Sequence, residues 1–204
     1  MTYQKALVGF GSITDAISIQ HYQWTQAPQF PEVNIFLSYT KEEFQLSFHV
    51  YEENPLIRYT RQNEPVYRDS CVEFFIQPTP DRDARYLNLE MNAAGTLLVG
   101  LGKDRLDRLY IEPEDHPPLH IRTEINRIDE TNGKVFWSAE LSIPMDWLST
   151  LFPGFSPVSG SKLRGNFYKC GDETAFPHYG SWSKVNSSEP DFHRSEDFGW
   201  LILS

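Results

Sequence analysis

An all-β fold, an antiparallel β-sandwich of jelly-roll type built from about ten short strands, is predicted by three features of the sequence. Runs of β-branched and aromatic residues alternate with polar ones at period two. Turn formers such as Asn132-Gly133, Lys41-Glu42 and Asn92-Ala93-Ala94-Gly95 punctuate those runs. Helical periodicity is nearly absent, so at most one short helix is expected. No repeat or low-complexity tract divides the 204 residues, and a single domain over 1–204 is the expectation.

Taken in order, a short strand at 6–10 precedes an irregular stretch to residue 32 that holds Pro28 and Pro31. Strand 33–40 places Val33, Ile35, Leu37 and Tyr39 on one face. Strand 43–51 alternates most cleanly, Phe44, Leu46, Phe48 and Val50 against Gln45, Ser47, His49 and Tyr51. A polar loop over 52–65 delivers the chain to strand 71–77, which Pro78 ends. Strands 86–92 and 96–101 form a hairpin around Gly95. A charged loop follows over 102–118, then strands 119–125 and 135–143 joined through Asn132-Gly133. Pro144 suits the first turn of a helix running to Leu151. Strands 163–170 and 200–203 complete the count, with a polar, aromatic segment over 171–199 between them. A connection of that length inside a compact domain is usually functional, and its rings argue against disorder.

Lys and Arg number 18 against 28 Asp and Glu, a formal charge of −10 that repels phosphate backbones and anionic lipid surfaces. Neither nucleic acid nor membrane is an expected partner. The N-terminus carries no apolar signal region, so the chain as written reads as cytoplasmic, or as periplasmic or secreted if a signal was removed. Cys71 and Cys170 both fall in strands, read as two buried free thiols with a single disulfide as the alternative.

The stretch 67–77 is the first candidate for a site. Val72, Phe74 and Ile76 share one face of the strand; Cys71, Glu73, Phe75 and Gln77 share the other. Tyr67, Arg68 and Asp69 crowd a ring and both charges onto its entrance. Placed beside it, strand 86–92 adds Tyr86, Asn88, Glu90 and Asn92 to the polar face, a surface that is either a solvated sheet face or a wall of hydrogen-bonding groups. Phe176, His178, Tyr179, Trp182, Phe192, His193, Phe198 and Trp200 form an aromatic group, of which Phe198 and Trp200 read as core. Rings beside small and charged residues suit a sugar, whose C–H face is apolar while its hydroxyls require partners. Leaving such polar groups unpaired costs about 1–3 kcal/mol each, which is how such a site discriminates.

Four motifs then carry a resemblance: Tyr67-Arg68-Asp69-Ser70-Cys71-Val72-Glu73-Phe74-Phe75, Glu90-Met91-Asn92-Ala93-Ala94-Gly95-Thr96, Gly165-Asn166-Phe167-Tyr168-Lys169 and Phe192-His193-Arg194-Ser195-Glu196-Asp197-Phe198-Gly199. In this order, over nearly the whole chain, they resemble the signatures of family 9 carbohydrate-binding modules, most closely the stand-alone branch. The resemblance implies a β-sandwich that clamps a terminal sugar between two rings, with structural calcium in loops and a glycoside hydrolase as the protein it would serve in glycan degradation. The clamp positions fall on Tyr67 and on His193, with Trp182 the nearest tryptophan. The strand carboxylate falls on Glu73, a sugar-contacting arginine on Glu90, and polar contacts on Asn166 and Tyr168. Arg68, Asn92 and Arg194, polar residues within these stretches, complete the candidate ligand-binding set.

Non-catalytic carbohydrate binding is therefore the function expected. A glycoside hydrolase using Glu73 and Glu90 is the alternative, since carboxyl groups about 5 Å apart on adjacent strands suit a retaining mechanism. It requires both to face one cleft and one to have a raised pKa. A haem site would need axial ligands such as Met91 or His49. Calcium needs about six to eight oxygens, and 52–54, 81–83 and 104–115 supply carboxylates without an EF-hand pattern, which favours solvated acidic loops.

Overall fold

Period-two alternation emerges as strands in the computed structural model, which describes residues 3–13 and 15–204. In chain order they are β1 (Lys5–Phe10), β2 (Ile17–Ser18), β3 (His21–Tyr22), β4 (Glu32–Tyr39), β5 (Glu43–Tyr51), β6 (Cys71–Gln77), β7 (Tyr86–Asn92) and β8 (Leu97–Gly102). There follow β9 (Arg108–Tyr110), β10 (Ile121–Ile128), β11 (Val135–Pro144), helix α1 (Met145–Leu151), β12 (Lys162–Cys170), β13 (Tyr179–Ser181) and β14 (Gly199–Leu203). No helix among them is long and apolar enough to cross a membrane. The turns do what their sequences dictate: Gly95 at φ +82° and Gly133 at φ +71° occupy the left-handed region that a side chain resists. The Asn92 side chain seals the first turn by accepting from Ala94 N and Thr96 N at 3.1 and 3.0 Å.

The described strands form one curled, mixed sheet of fourteen, with order β10-β11-β5-β4-β1-β14-β12-β6-β7-β8-β9 and β2, β3 and β13 off that path. The expected purely antiparallel sheet of about ten strands is corrected on both counts. β1 runs parallel to β14 through Lys5–Val8 and parallel to β4 through Gly9 and Phe10, so one strand links the two halves. Alternation specifies which face a side chain takes but not the direction of its neighbour, so these parallel pairs were not legible. The additional strands β2, β3, β9 and β13 have only two or three residues and lie in stretches read as loops.

Curling brings the halves face to face, as in a β-sandwich: Phe48 of β5 meets Phe167 of β12 at 6.3 Å between ring centres, and Phe167 stacks on Phe74 at 4.7 Å. Val33, Ile35, Leu37, Tyr39, Phe44, Leu46, Phe48 and Val50 line this core as their alternation predicted. Each such side chain stabilises the fold by roughly 1.5–3 kcal/mol relative to exposure. Edge strand β10 departs from alternation. A bulge between Glu124 and Arg127, with Asn126 at φ +60°, turns Ile125 out to solvent.

A second apolar cluster covers the opposite face of the other half: Val66, Cys71, Phe75, Tyr86, Leu98, Tyr168, Cys170, Val185, Phe192 and Phe198. Every residue of β6 and β7 is consequently buried on both faces. The segment 171–199 and the loop before β6 lie over this face, which removes the solvated-sheet reading. Phe198 is fully buried as expected; Trp200 is only partly buried, with the Arg164 guanidinium 5.4 Å from its ring centre.

Candidate functional site

Strand pairing determines what the floor of the site contains. β6 and β7 run antiparallel with Glu73 directly opposite Glu90, and β12 flanks β6 with Cys170 opposite Cys71. Above these residues lies a cavity of about 620 Å³, lined on its floor by Glu73, Glu90 and Cys170 and on its walls by Tyr67, Arg105, Arg108, Asp172, Tyr179 and the stretch 189–193. That volume falls within the roughly 300–1,000 Å³ usual for small-molecule sites.

The two carboxyl groups are almost wholly buried, at 3% and 2% exposure. Glu90 accepts from Arg108 Nη1 and from Asn88 Nδ2, both at 2.9 Å, and Glu73 accepts from the Cys170 thiol at 3.0 Å. Burial, reinforced by the Glu90 charge, raises the Glu73 pKa well above the ordinary carboxyl range. Burial likewise lifts Glu90 to about 7, with Arg108 pulling against it.

Arg108 reaches the floor because residue 100 of the intervening strand is glycine. A Cβ there would lie 2.5 Å from Asn88 Oδ1 and 2.8 Å from Arg108 Cδ. The same guanidinium donates to His193 Nε2 at 3.1 Å, leaving Nδ1 to donate to the Tyr86 hydroxyl at 2.9 Å, because an arginine has only donors. Burial, with Arg108 and Arg105 adding repulsion, lowers the His193 pKa to about 3, so the ring is neutral. On the rim, Arg105 pairs with Asp191 at 3.3 Å. Burial raises the Asp172 carboxyl, and burial beside Asp172 lifts the Tyr179 phenol to about 12.

Of the ten residues proposed from sequence to bind ligand, the fold brings Tyr67, Glu73, Glu90 and His193 around the cavity. Tyr67 sits in the short turn Val66–Arg68, anchored by buried Asp69, which accepts from Arg58 N, Tyr59 N and Asn92 Nδ2 at 2.8–3.0 Å. The other six lie elsewhere. Trp182 is in the inner core against Phe167, 5.7 Å between centres, and cannot oppose Tyr67. Asn166 holds Ser183 through two backbone bonds of 2.9 and 2.8 Å, and Tyr168 donates to Phe192 O at 3.0 Å while stacking on the Phe192 ring. Asn92 is occupied by its turn and by Asp69. Arg68 pairs with Glu173, and Arg194 with Glu196 and Asp197.

Sequence reading missed Arg108, Arg105, Asp172 and Asp191. Arg108 had a signal, since Arg108-Leu109-Tyr110 carries strand-forming residues in a stretch read as a charged loop. The guanidinium that the resemblance would place at position 90 instead arrives against Glu90 from β9.

Met91 lies in the inner core and His49 on an outer face against Phe36 and Phe136, so no haem could be held between them. In the loops weighed for calcium, three carboxylates have partners within the protein. Asp83 is spent on Arg85, Asp104 on two backbone amides, and Glu52 on Ser70, Trp137 and Lys169.

The buried carboxyls give stability a defined pH dependence. Their raised folded pKa values mean that their contribution is fully present below the ordinary value of 4.5. It is lost as pH rises, through about 7 for Glu90 and through the raised value of Glu73. His193 and His178, lowered to about 3 and about 4 chiefly by burial, act oppositely: their contribution is present above 6.5 and lost as pH falls. The two slopes oppose each other between 4.5 and 6.5, and above 6.5 only the carboxyl slope remains. With chelator present, the melting temperature is therefore expected to fall as pH rises from 6.5 through about 7, and Glu90→Gln to flatten that fall. A wild-type curve that is level or rising there would reject the buried-acid assignment.

A curled β fold with a polar cavity roofed by a long aromatic connection defines a small ligand-module architecture. The chain belongs to carbohydrate-binding family 9, whose family model matches residues 5–203. Among solved structures it is similar to a proposed carbohydrate-binding protein from Bacteroides uniformis, with 27% identity, a TM-score of 0.84 and full coverage of both chains. Two structures of a family 9 module from Caldicellulosiruptor kristjanssonii share the fold at a TM-score of 0.65. The cellotriose complex is 13% identical and the glucose complex 14%, with 98% of this chain and 93% and 96% of those chains covered. A search of curated proteins finds no match.

Proposed function

We propose that this protein binds carbohydrate in the Glu73–Glu90 cavity, receiving the end of a saccharide without cleaving it, as a module that supports glycan degradation beside a glycoside hydrolase. Family membership supports the class of ligand, and the solved family 9 complexes contain cellotriose and glucose. The observation that carries the location is a single cavity combining rings with both donors and acceptors. Tyr67 and Tyr179 supply faces for stacking. Asp172 and Glu73 meet hydroxyls, and Arg108 presents a donor anchored by Glu90. His193 acts through Arg108 as a positioning residue, since both of its nitrogens are engaged.

A glycan array identifies the sugar, and titration of variants with that sugar tests the site. Tyr67→Ala and Asp172→Asn are each expected to weaken binding by roughly tenfold, the scale of about 1.4 kcal/mol for one lost stacking or hydrogen-bonding contact. Unchanged affinity in both variants would remove the cavity as the site.

The facing pair Glu73 and Glu90, both raised, also favours the hydrolytic reading. Protonated Glu73 would serve as the acid, and Glu90, held by Arg108, as the nucleophile. Turnover of any glycan by the wild type that disappears in Glu73→Gln would establish it; binding without turnover in either form leaves the module reading.

A further inference from the structure

We infer that Cys71, Glu73 and Cys170 form a binding site for a thiophilic divalent cation of the zinc class in the cavity floor. The inference goes beyond sugar binding: it shares the Glu73 carboxylate with that reading and adds the two cysteine sulfurs. One sulfur from each cysteine and one carboxylate oxygen of Glu73 all lie within 4.8 Å of one another, the one such cluster among the described residues. Strand geometry produces this convergence. Cys71 and Glu73 are two apart on β6 and so share a face, and Cys170 is the cross-strand partner of Cys71 on β12. Both elements are central strands packed on each side, so the donors are held more rigidly than loop ligands would be.

The donor set selects the metal class. Two sulfurs and one oxygen suit borderline-soft Zn²⁺ in tetrahedral geometry, whereas Ca²⁺ and Mg²⁺ require oxygen cages. Three protein ligands leave one position, and Glu73 and Cys170 both line the cavity, so that position faces the space where a water or ligand hydroxyl would enter. Both thiols are free. Binding displaces the two thiol protons and the Glu73 proton to solvent, and the cation replaces them. Two thiolates and a carboxylate against a divalent ion leave one negative charge, which the neighbouring Glu90 charge opposes and the cations Arg108, beside Glu73, and Lys169, beside Cys71, offset.

The test is titration of Co²⁺ into the full chain, reduced and stripped with chelator. A thiolate-to-cobalt charge-transfer band should saturate at one equivalent and disappear on adding Zn²⁺. Cys71→Ala and Cys170→Ala should each reduce it, and Glu73→Gln should weaken cobalt affinity at least about tenfold, the scale even outer partners of metal sites command. Should a cysteine variant fail to fold, the wild-type band intensity still counts thiolates, and two support the site. No band, a one-thiolate band, or a band unchanged in both cysteine variants overturns it.

Discussion

Replacing Lys169 by methionine is expected to cost about 3–5 kcal/mol of folding stability at neutral pH, the scale for breaking a buried ion pair. Lys169 is completely buried, with Nζ 3.2 Å from Glu52 Oε2, donating to Cys170 O at 2.9 Å and to His178 Nε2 at 2.8 Å. Glu52 also accepts from the Trp137 indole at 3.0 Å and from the Ser70 hydroxyl at 2.8 Å. Burial by itself would raise the Glu52 carboxyl, but Lys169, Trp137 and Ser70 together outweigh it and hold the pKa below 4.5. A depressed carboxyl contributes stability that is present above its unfolded pKa and is lost as pH falls through the folded value. The deficit of Lys169→Met should accordingly be largest at neutral pH and narrow below 4.5. Adding Glu52→Gln removes the stranded charge and should restore part of the loss. Urea unfolding across pH measures all three forms. A deficit under about 1 kcal/mol, or one that widens in acid, would show that the pair is not what holds this region together.

Phe75→Ala is expected to cost a further roughly 3–5 kcal/mol and to weaken the ligand site in the molecules that remain folded. Phe75 is the hub of the outer cluster. Its ring lies 5.6 Å from Tyr86, 5.0 Å from Tyr168, 4.9 Å from His193 and 6.3 Å from Phe198. Truncation leaves a cavity under the His193 ring and frees the chain of contacts from Tyr86 through His193 and Arg108 to Glu90. Phe48→Ala, in the opposite layer, provides the comparison. It should lose similar stability with unchanged sugar affinity in the folded fraction. Equal affinity in both variants would separate the outer cluster from the binding site.

These two residues show where sequence reading succeeds and where it stops. The face containing Cys71, Glu73, Phe75 and Gln77 was readable, and so was the adjacency that sets Glu73 against Glu90. What that face meets was not: its polar residues are covered by chain arriving nearly a hundred residues later. Trp182 entered the clamp reading as the tryptophan nearest the second clamp position, yet the short strand β13 just before it pairs with β12, and Trp182 N donates to Phe167 O at 3.0 Å with its ring in the inner core. Of the two implied clamp positions, Tyr67 reaches the cavity as a ring, while His193 reaches it with both nitrogens already bound.

Lys169 illustrates the same division. On β12 it shares a face with Leu163 and Phe167, a position where alternation calls for an apolar residue, and only its partners explain it. Glu52 lies 117 positions away in a loop read as polar and solvated.

By itself the sequence determined the β class, most strand positions, the hairpins at Gly95 and Gly133, the helix after Pro144 and the resemblance to family 9. All of these rest on the geometry of one strand or one turn, which neighbouring residues dictate. Tertiary structure alone decided the parallel insertion of β1, the burial of the polar face, the arrival of Arg108 over Gly100 and the meeting of Cys71, Glu73 and Cys170. Those depend on which distant segments share a layer. Burial then changes the chemistry: a carboxyl that water would keep ionised is pushed toward its protonated form once a second apolar cluster closes over it.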